Sequence, residues 1–162
     1  MAAANATALC GHAVGDKVAA RLAGLGELDR VLAPVHVDGR LHVWEWLNRA
    51  DGTFCKTDAL DHSCDHGLVG CQDIAWDIAG AALEFRLSEG EIAALRLAIA
   101  QACGRMTEME AVALFSLCYA AFQGASWQMA EQAACPPDAA IIRRWRGRYD
   151  EALRASDMPR SG

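Results

Sequence analysis

The chain has 162 residues, 53% of them hydrophobic, and a formal charge of −6, with 21 Asp and Glu against 15 Lys and Arg. That balance speaks against nucleic acid as a partner, because binding to phosphate backbones is driven by Lys and Arg. No stretch reaches the roughly 18 consecutive apolar residues of a membrane span, and seven cysteines at irregular spacing fit reduced thiols, so the sequence predicts a cytoplasmic protein with no membrane partner.

Length and composition predict a single domain over 1–162, read as an N-terminal helical part (1–34), a loop-rich central part (35–80) and a helical bundle (81–157). The Ala-rich start lacks a basic segment and is not read as a signal peptide. From Asp16 to Ala33, Val18, Leu22, Leu25, Leu28, Val31 and Leu32 recur at helical spacing, and Pro34 ends the helix. His36, Asp38 and Arg40 then alternate in a loop.

Leu41–Arg49 alternates and is rich in β-formers; Ala50-Asp51-Gly52 marks a turn, and 53–57 is a second short strand. Trp44 and Trp46, two apart, are expected on one strand face, packed on helices. A polar run follows, Asp61-His62-Ser63-Cys64-Asp65-His66. Beyond it everything reads as helical: 73–85, then a helix opened by the capping-box pattern at Ser88–Glu91, another opened near Thr107, and a last one introduced by Pro136-Pro137-Asp138. Gly124 is a weak point in the third of these, and Cys103 and Cys118 fall at positions expected in the core. The basic run Arg143-Arg144-Trp145-Arg146-Gly147-Arg148 reads as a solvated helix face rather than a phosphate patch. The fold class is mainly α with one β-hairpin, and because an isolated hairpin is marginal in water it should dock on the helices. Its two flanking loops then place Asp38 and Asp58 at one end.

Gathered carboxylates repel at neutral pH, so a site that collects them holds a cation or a shared proton. Asp58 and Asp61 with Asp38 opposite suit Mg²⁺, which takes one or two carboxylates and completes its shell with phosphates. That is equipment for phosphoryl transfer, in which one acid holds metal and another accepts the proton of the attacking hydroxyl. A zinc site from His62, Cys64, His66 and Cys71 is the competing use of the polar run; their types suit zinc, but their spacing follows no common zinc pattern.

His36-Val-Asp38, the hairpin, Thr57-Asp58-Ala-Leu-Asp61 and Asp73-Ile-Ala-Trp-Asp77-Ile-Ala, in that order, resemble the C-terminal lobe of the aminoglycoside phosphotransferase and choline kinase-like family, which has a protein kinase-like fold. The resemblance spans 36–80. It implies a phosphotransferase that moves the γ-phosphate of ATP to a small-molecule hydroxyl, with Mg²⁺ and ATP as cofactors. By it Asp38 is the catalytic base and His36 its orienting neighbour, Asp58 and Asp61 are metal ligands, and Asp73 and Asp77 brace the site. The family's second metal ligand, an Asn five residues after the base, falls on Val43 here, and Glu45 or His42 is the nearest substitute. Only 35 residues precede His36, with neither a Gly-rich loop nor a strand-borne Lys, so the N-terminal lobe is expected from elsewhere, as a missing segment or a partner chain. The alternative is a non-enzymatic binding or scaffold module of the same fold that has lost nucleotide binding. The sequence does not identify the acceptor.

Overall fold

A computed structural model describes residues 1–24, 26, 28–57 and 69–155. Among them the protein is mainly helical, with a two-stranded antiparallel hairpin. The elements are α1 (Ala2–Cys10), α2 (His12–Ala23), α3 (Leu28–Val31), β1 (Trp46–Asn48), β2 (Phe54–Lys56), α4 (Ala75–Glu84), α5 (Glu89–Cys103), α6 (Met109–Ala133) and α7 (Pro136–Ala155). They form two compact units, Met1–Asp29 with Leu117–Gly162, and Arg30–Ser116.

In the first unit α1 and α2 lie against each other as a helical hairpin. Gly15 makes this contact: a Cβ there would come within 1.8 Å of the Thr7 hydroxyl on α1. Ala6, Val18, Tyr119, Ala120, Ala121, Tyr149 and Leu153 are buried. On α6, Gly124 is no break. The helix runs through it, and a Cβ at Gly124 would come within 2.7 Å of Leu9. α7 turns Tyr149 and Leu153 inward and its charges outward, as its helical periodicity requires. Two arginines of the basic run on α7 pair with an acid: Glu131 takes Arg143 Nε at 2.6 Å and Arg146 Nη1 at 2.7 Å, while Arg148 lies over the Trp145 ring.

In the second unit the core is Val37, Leu41, Ala75, Trp76, Ile78, Ala79, Ala111, Val112, Leu114 and Phe115. Trp76 meets Phe115 edge-on. β1 pairs with β2 in the register Trp46↔Lys56, Leu47↔Cys55, Asn48↔Phe54. Ser88 and Glu91 form the expected reciprocal capping box, which starts α5 one residue later. Two residues past α4, Arg86 sits in the left-handed region at φ 53°, the Leu87 amide donating back to the Ala82 carbonyl.

Several local expectations are corrected. The helix expected over 16–33 ends at Ala23, and α1 lies upstream of it, where alanine-rich sequence has high helix propensity but little apolar periodicity. The first strand of the hairpin covers only Trp46–Asn48, because Val43–Glu45 is a 3₁₀ turn. That turn breaks the two-residue alternation, so the two tryptophans do not share a face. Trp44 is 48% exposed and stacks on His42, whereas Trp46 meets Phe85 edge-on. Cys103 is exposed in the last turn of α5, a helix with no buried residue.

Candidate functional site

Residues 33–39 run alongside the chain that opens α4. Val35 and Gln72 exchange both backbone hydrogen bonds, at 2.8 and 3.2 Å. At the head of α4, Asp73 accepts from the Ala75 amide and from the Ala33 amide, each at 2.9 Å, and from Arg105 Nη2 at 2.7 Å. One buried carboxylate thus meets the first amide of α4, anchors the incoming chain and neutralises a guanidinium.

A turn later Asp77 repeats the device on the next piece of loop. Its side chain tilts toward the helix N-terminus, as all helical side chains do. There Oδ2 accepts the Asp38 amide at 2.9 Å and Oδ1 the Gly39 amide at 3.2 Å. Trp76 adds its indole N–H to the Gly39 carbonyl at 3.2 Å. Gly39 holds φ at +80°, a conformation costly for a side-chain-bearing residue. The backbone at 38–39 is fixed on both sides, and the Asp38 side chain projects from it. Burial raises the Asp77 pKa; the two amides oppose the shift, the Asp38 carboxylate adds to it and Lys56 opposes it.

The Asp38 carboxylate meets Lys56. Its Oδ1 lies 2.9 Å from Lys56 Nζ and also accepts the Arg40 amide at 3.3 Å. The same Nζ lies 3.1 Å from Glu45 Oε2, and the other Glu45 oxygen is 3.7 Å from His42 Nδ1. The hairpin explains the meeting: the 3₁₀ turn directs Glu45 inward just before β1, and Lys56 ends β2 opposite Trp46. Thr57 closes the corner, its amide and hydroxyl both donating to the Glu45 carbonyl. Lys56, Asp38, Glu45 and His42 retain only 8, 13, 11 and 8% of their side-chain exposure, so the described residues form a desolvated cluster of two acids, one ammonium and an imidazole.

Of the residues singled out from sequence, the structure gathers Asp38, Glu45 and Asp77 in one place, with Asp73 one helical turn away. His36 is exposed and its contact is Cys71, Nδ1 to Sγ at 3.9 Å. Asp58, Asp61, His62, Cys64 and His66 lie outside the described residues. Lys56 and the indole of Trp76 were not foreseen. The available signal was a lysine on the same hairpin face as Trp46, where a cation next to apolar neighbours needs an acid.

The resemblance implies Mg²⁺ at this end of the hairpin, with Glu45 among its ligands. Asp38 and Glu45 as arranged do not fit it: the position between their oxygens holds the Lys56 ammonium. The other two implied ligands, Asp58 and Asp61, are outside the described residues.

Beside the braced loop opens an apolar groove of about 350 Å³. Leu41, Trp46, Phe54, Phe85, Leu95 and Ile99 line it, and among the described residues Asp77 is its one charged lining residue. Phe54 is 64% exposed there. Since Asp77 also holds the 38–39 backbone, the groove and the Asp38 loop share a wall.

Comparison with protein-family models, with curated proteins and with solved structures gives no match.

Proposed function

We propose that the chain is the acceptor-side half of a kinase-like phosphotransferase, which moves the γ-phosphate of ATP to the hydroxyl of a small molecule. The observation that carries this reading is the bracing of the Asp38 backbone by the Asp77 carboxylate through two amides. Fixed backbone on both sides of a projecting carboxylate is what a general base requires, since its value depends on geometry before basicity. The order of His36-Val-Asp38, hairpin, and Asp73-Ile-Ala-Trp-Asp77 supports the same reading through the family resemblance. Asp38 accepts the proton of the attacking hydroxyl, and Asp73 and Asp77 hold the backbone that carries it. The acceptor lies in the apolar groove next to Asp77. The nucleotide is held by a β-rich segment or partner chain that completes the cleft.

A specific observation also favours a second reading. Asp38 and Glu45 are joined through Lys56, which neutralises the carboxylate that chemistry would use. A binding module that keeps the fold without turnover would retain this pairing as a structural ion cluster. Co-expression with the coding sequence that flanks the chain's own, followed by transfer of label from γ-³²P-ATP to a panel of alcohols, separates the two. The phosphotransferase reading expects labelled phosphate ester, favouring acceptors with an apolar body. Absence of label from every acceptor, with the folded complex in hand, leaves the binding module.

A further inference from the structure

Two carboxylates that face each other in a mostly dry site need a counter-cation, and the usual solutions are a metal ion or a basic side chain. At the end of this hairpin the solution is visible. Lys56 Nζ lies 2.9 Å from Asp38 Oδ1 and 3.1 Å from Glu45 Oε2, while His42 approaches the second Glu45 oxygen. We propose that Lys56 is the resident cation of the Asp38–Glu45 pair and a positioning residue for the Asp38 carboxylate, taking the place that a divalent metal ion would otherwise fill.

Charge and size both support the substitution. An ammonium bonds carboxylate oxygens at nearly 3 Å, whereas Mg²⁺ demands about 2.1 Å and a near-octahedral shell. Nζ stands at ammonium distances from both carboxylates, with the Glu45 Oε2 contact an ion pair without hydrogen-bond geometry. A divalent ion cannot enter between them while Nζ is present, because like charges at such distances repel strongly in a site of low dielectric. Among the described residues the two carboxylates and Lys56 sum to one negative charge, and the two carboxylates without it to two, which a divalent ion neutralises. Pairing with Trp46 at the end of β2, followed by the two Thr57 bonds to Glu45, sets the backbone of Lys56 beside Glu45, and its side chain reaches both carboxylates from there. Lys56 therefore restrains the orientation of Asp38 as a bound metal would, without the concentration dependence of a metal.

The functional meaning of this inference rests on Asp38 as the working carboxylate, but its test requires neither ATP nor an acceptor. Failure of transfer and failure of the cation role are thus separately visible. Mn²⁺ binding to the full chain is measured by electron paramagnetic resonance for wild type, Glu45→Gln, Lys56→Ala, Lys56→Arg and the Lys56→Ala/Glu45→Gln double variant. Wild type and Glu45→Gln should bind Mn²⁺ alike, since the metal does not use Glu45 while Lys56 is present. Lys56→Ala should gain a site roughly tenfold tighter or better than anything in wild type, and adding Glu45→Gln should abolish it. Lys56→Arg, which restores a cation, should behave as wild type. Loss of wild-type Mn²⁺ binding on Glu45→Gln overturns the proposal, because metal would already share the position. So does a folded Lys56→Ala chain with no gain. The comparison of wild type with Glu45→Gln leaves Lys56 untouched and decides even where Lys56→Ala does not fold.

Discussion

Replacing Asp77 by Asn probes the brace with the smallest possible change of shape. In the wild type both carboxylate oxygens accept, one from the Asp38 amide at 2.9 Å and one from the Gly39 amide at 3.2 Å. Asn has a single side-chain acceptor oxygen, so one of the two amides must face an NH₂ group that also donates. A hydrogen bond to a charged group contributes about 1.5–3 kcal/mol, and a buried donor left unmet costs about 1–3 kcal/mol. Against this, Asn removes a carboxylate whose burial already raises its pKa, so part of the loss is recovered. The net is a destabilisation of about 2 kcal/mol, or roughly 4–8 °C in Tm for a chain of this size. Differential scanning calorimetry reads the shift, and amide exchange by NMR locates it: Asp38 and Gly39 should lose protection first. The pH dependence has a definite sign. A raised pKa means that the native state takes up a proton on acidification before the unfolded chain does. The Asp77 contribution therefore grows as pH falls through the folded pKa toward the ordinary value of 3.8. Asn does not titrate, so the stability gap between wild type and variant should widen on acidification in that window. A Tm within a degree of wild type, with both amides still protected, would refute the brace.

Other expectations follow from single features. Arg105→Ala removes the guanidinium partner of the buried Asp73 carboxylate, although its two amide donors remain; because Arg105 itself is partly exposed, thermal melts should show a loss of about 1–2 kcal/mol. Ser88→Ala should cost about 1 kcal/mol by the same measurement, since it deletes both the cap to the Glu91 amide and the hydroxyl bond that holds Glu91. Arg86→Gly relieves a left-handed residue two positions past α4 and should raise stability by about 0.5–1 kcal/mol. In a thiol-labelling time course at pH 8, Cys118→Ser should leave the fast phase unchanged, because burial pushes its thiol up to about 11, while Cys103→Ser and Cys135→Ser, at exposed thiols, should each reduce it.

Much of the helical frame was legible because its signals are local. The Ser88–Glu91 capping box, the proline entry to α7 and the apolar spacing of 75–84 each act within one or two turns, and each forms close to where the residues place it. The hairpin was legible in its turn and second strand but not in its first half. β-formers at 41–45 cannot reveal that a 3₁₀ turn will direct Glu45 inward and Trp44 outward, since that choice depends on what Lys56 meets across the ladder. α1 was illegible because an alanine-rich segment has propensity without an apolar stripe, and its place depends on Gly15 letting α2 approach Thr7. At the site, carboxylates at 38, 73 and 77 stood out as types, but not their different duties. Asp77 faces two amides and Asp38 an ammonium, a distinction set by backbone directions that no spacing encodes.

Under the proposed function Asp38 is the base of the phosphoryl transfer, and the turnover of Asp38→Asn measures that role. Lys56 keeps its Glu45 partner in this variant and the Asp77 brace acts on backbone, so the fold should persist. Measured in the co-expressed complex with a labelled acceptor, kcat should fall by about 10²–10⁴-fold, the range that positioned acid–base catalysis contributes. The affinity for ATP should stay as in wild type. A variant that transfers phosphate at the wild-type rate would contradict the account.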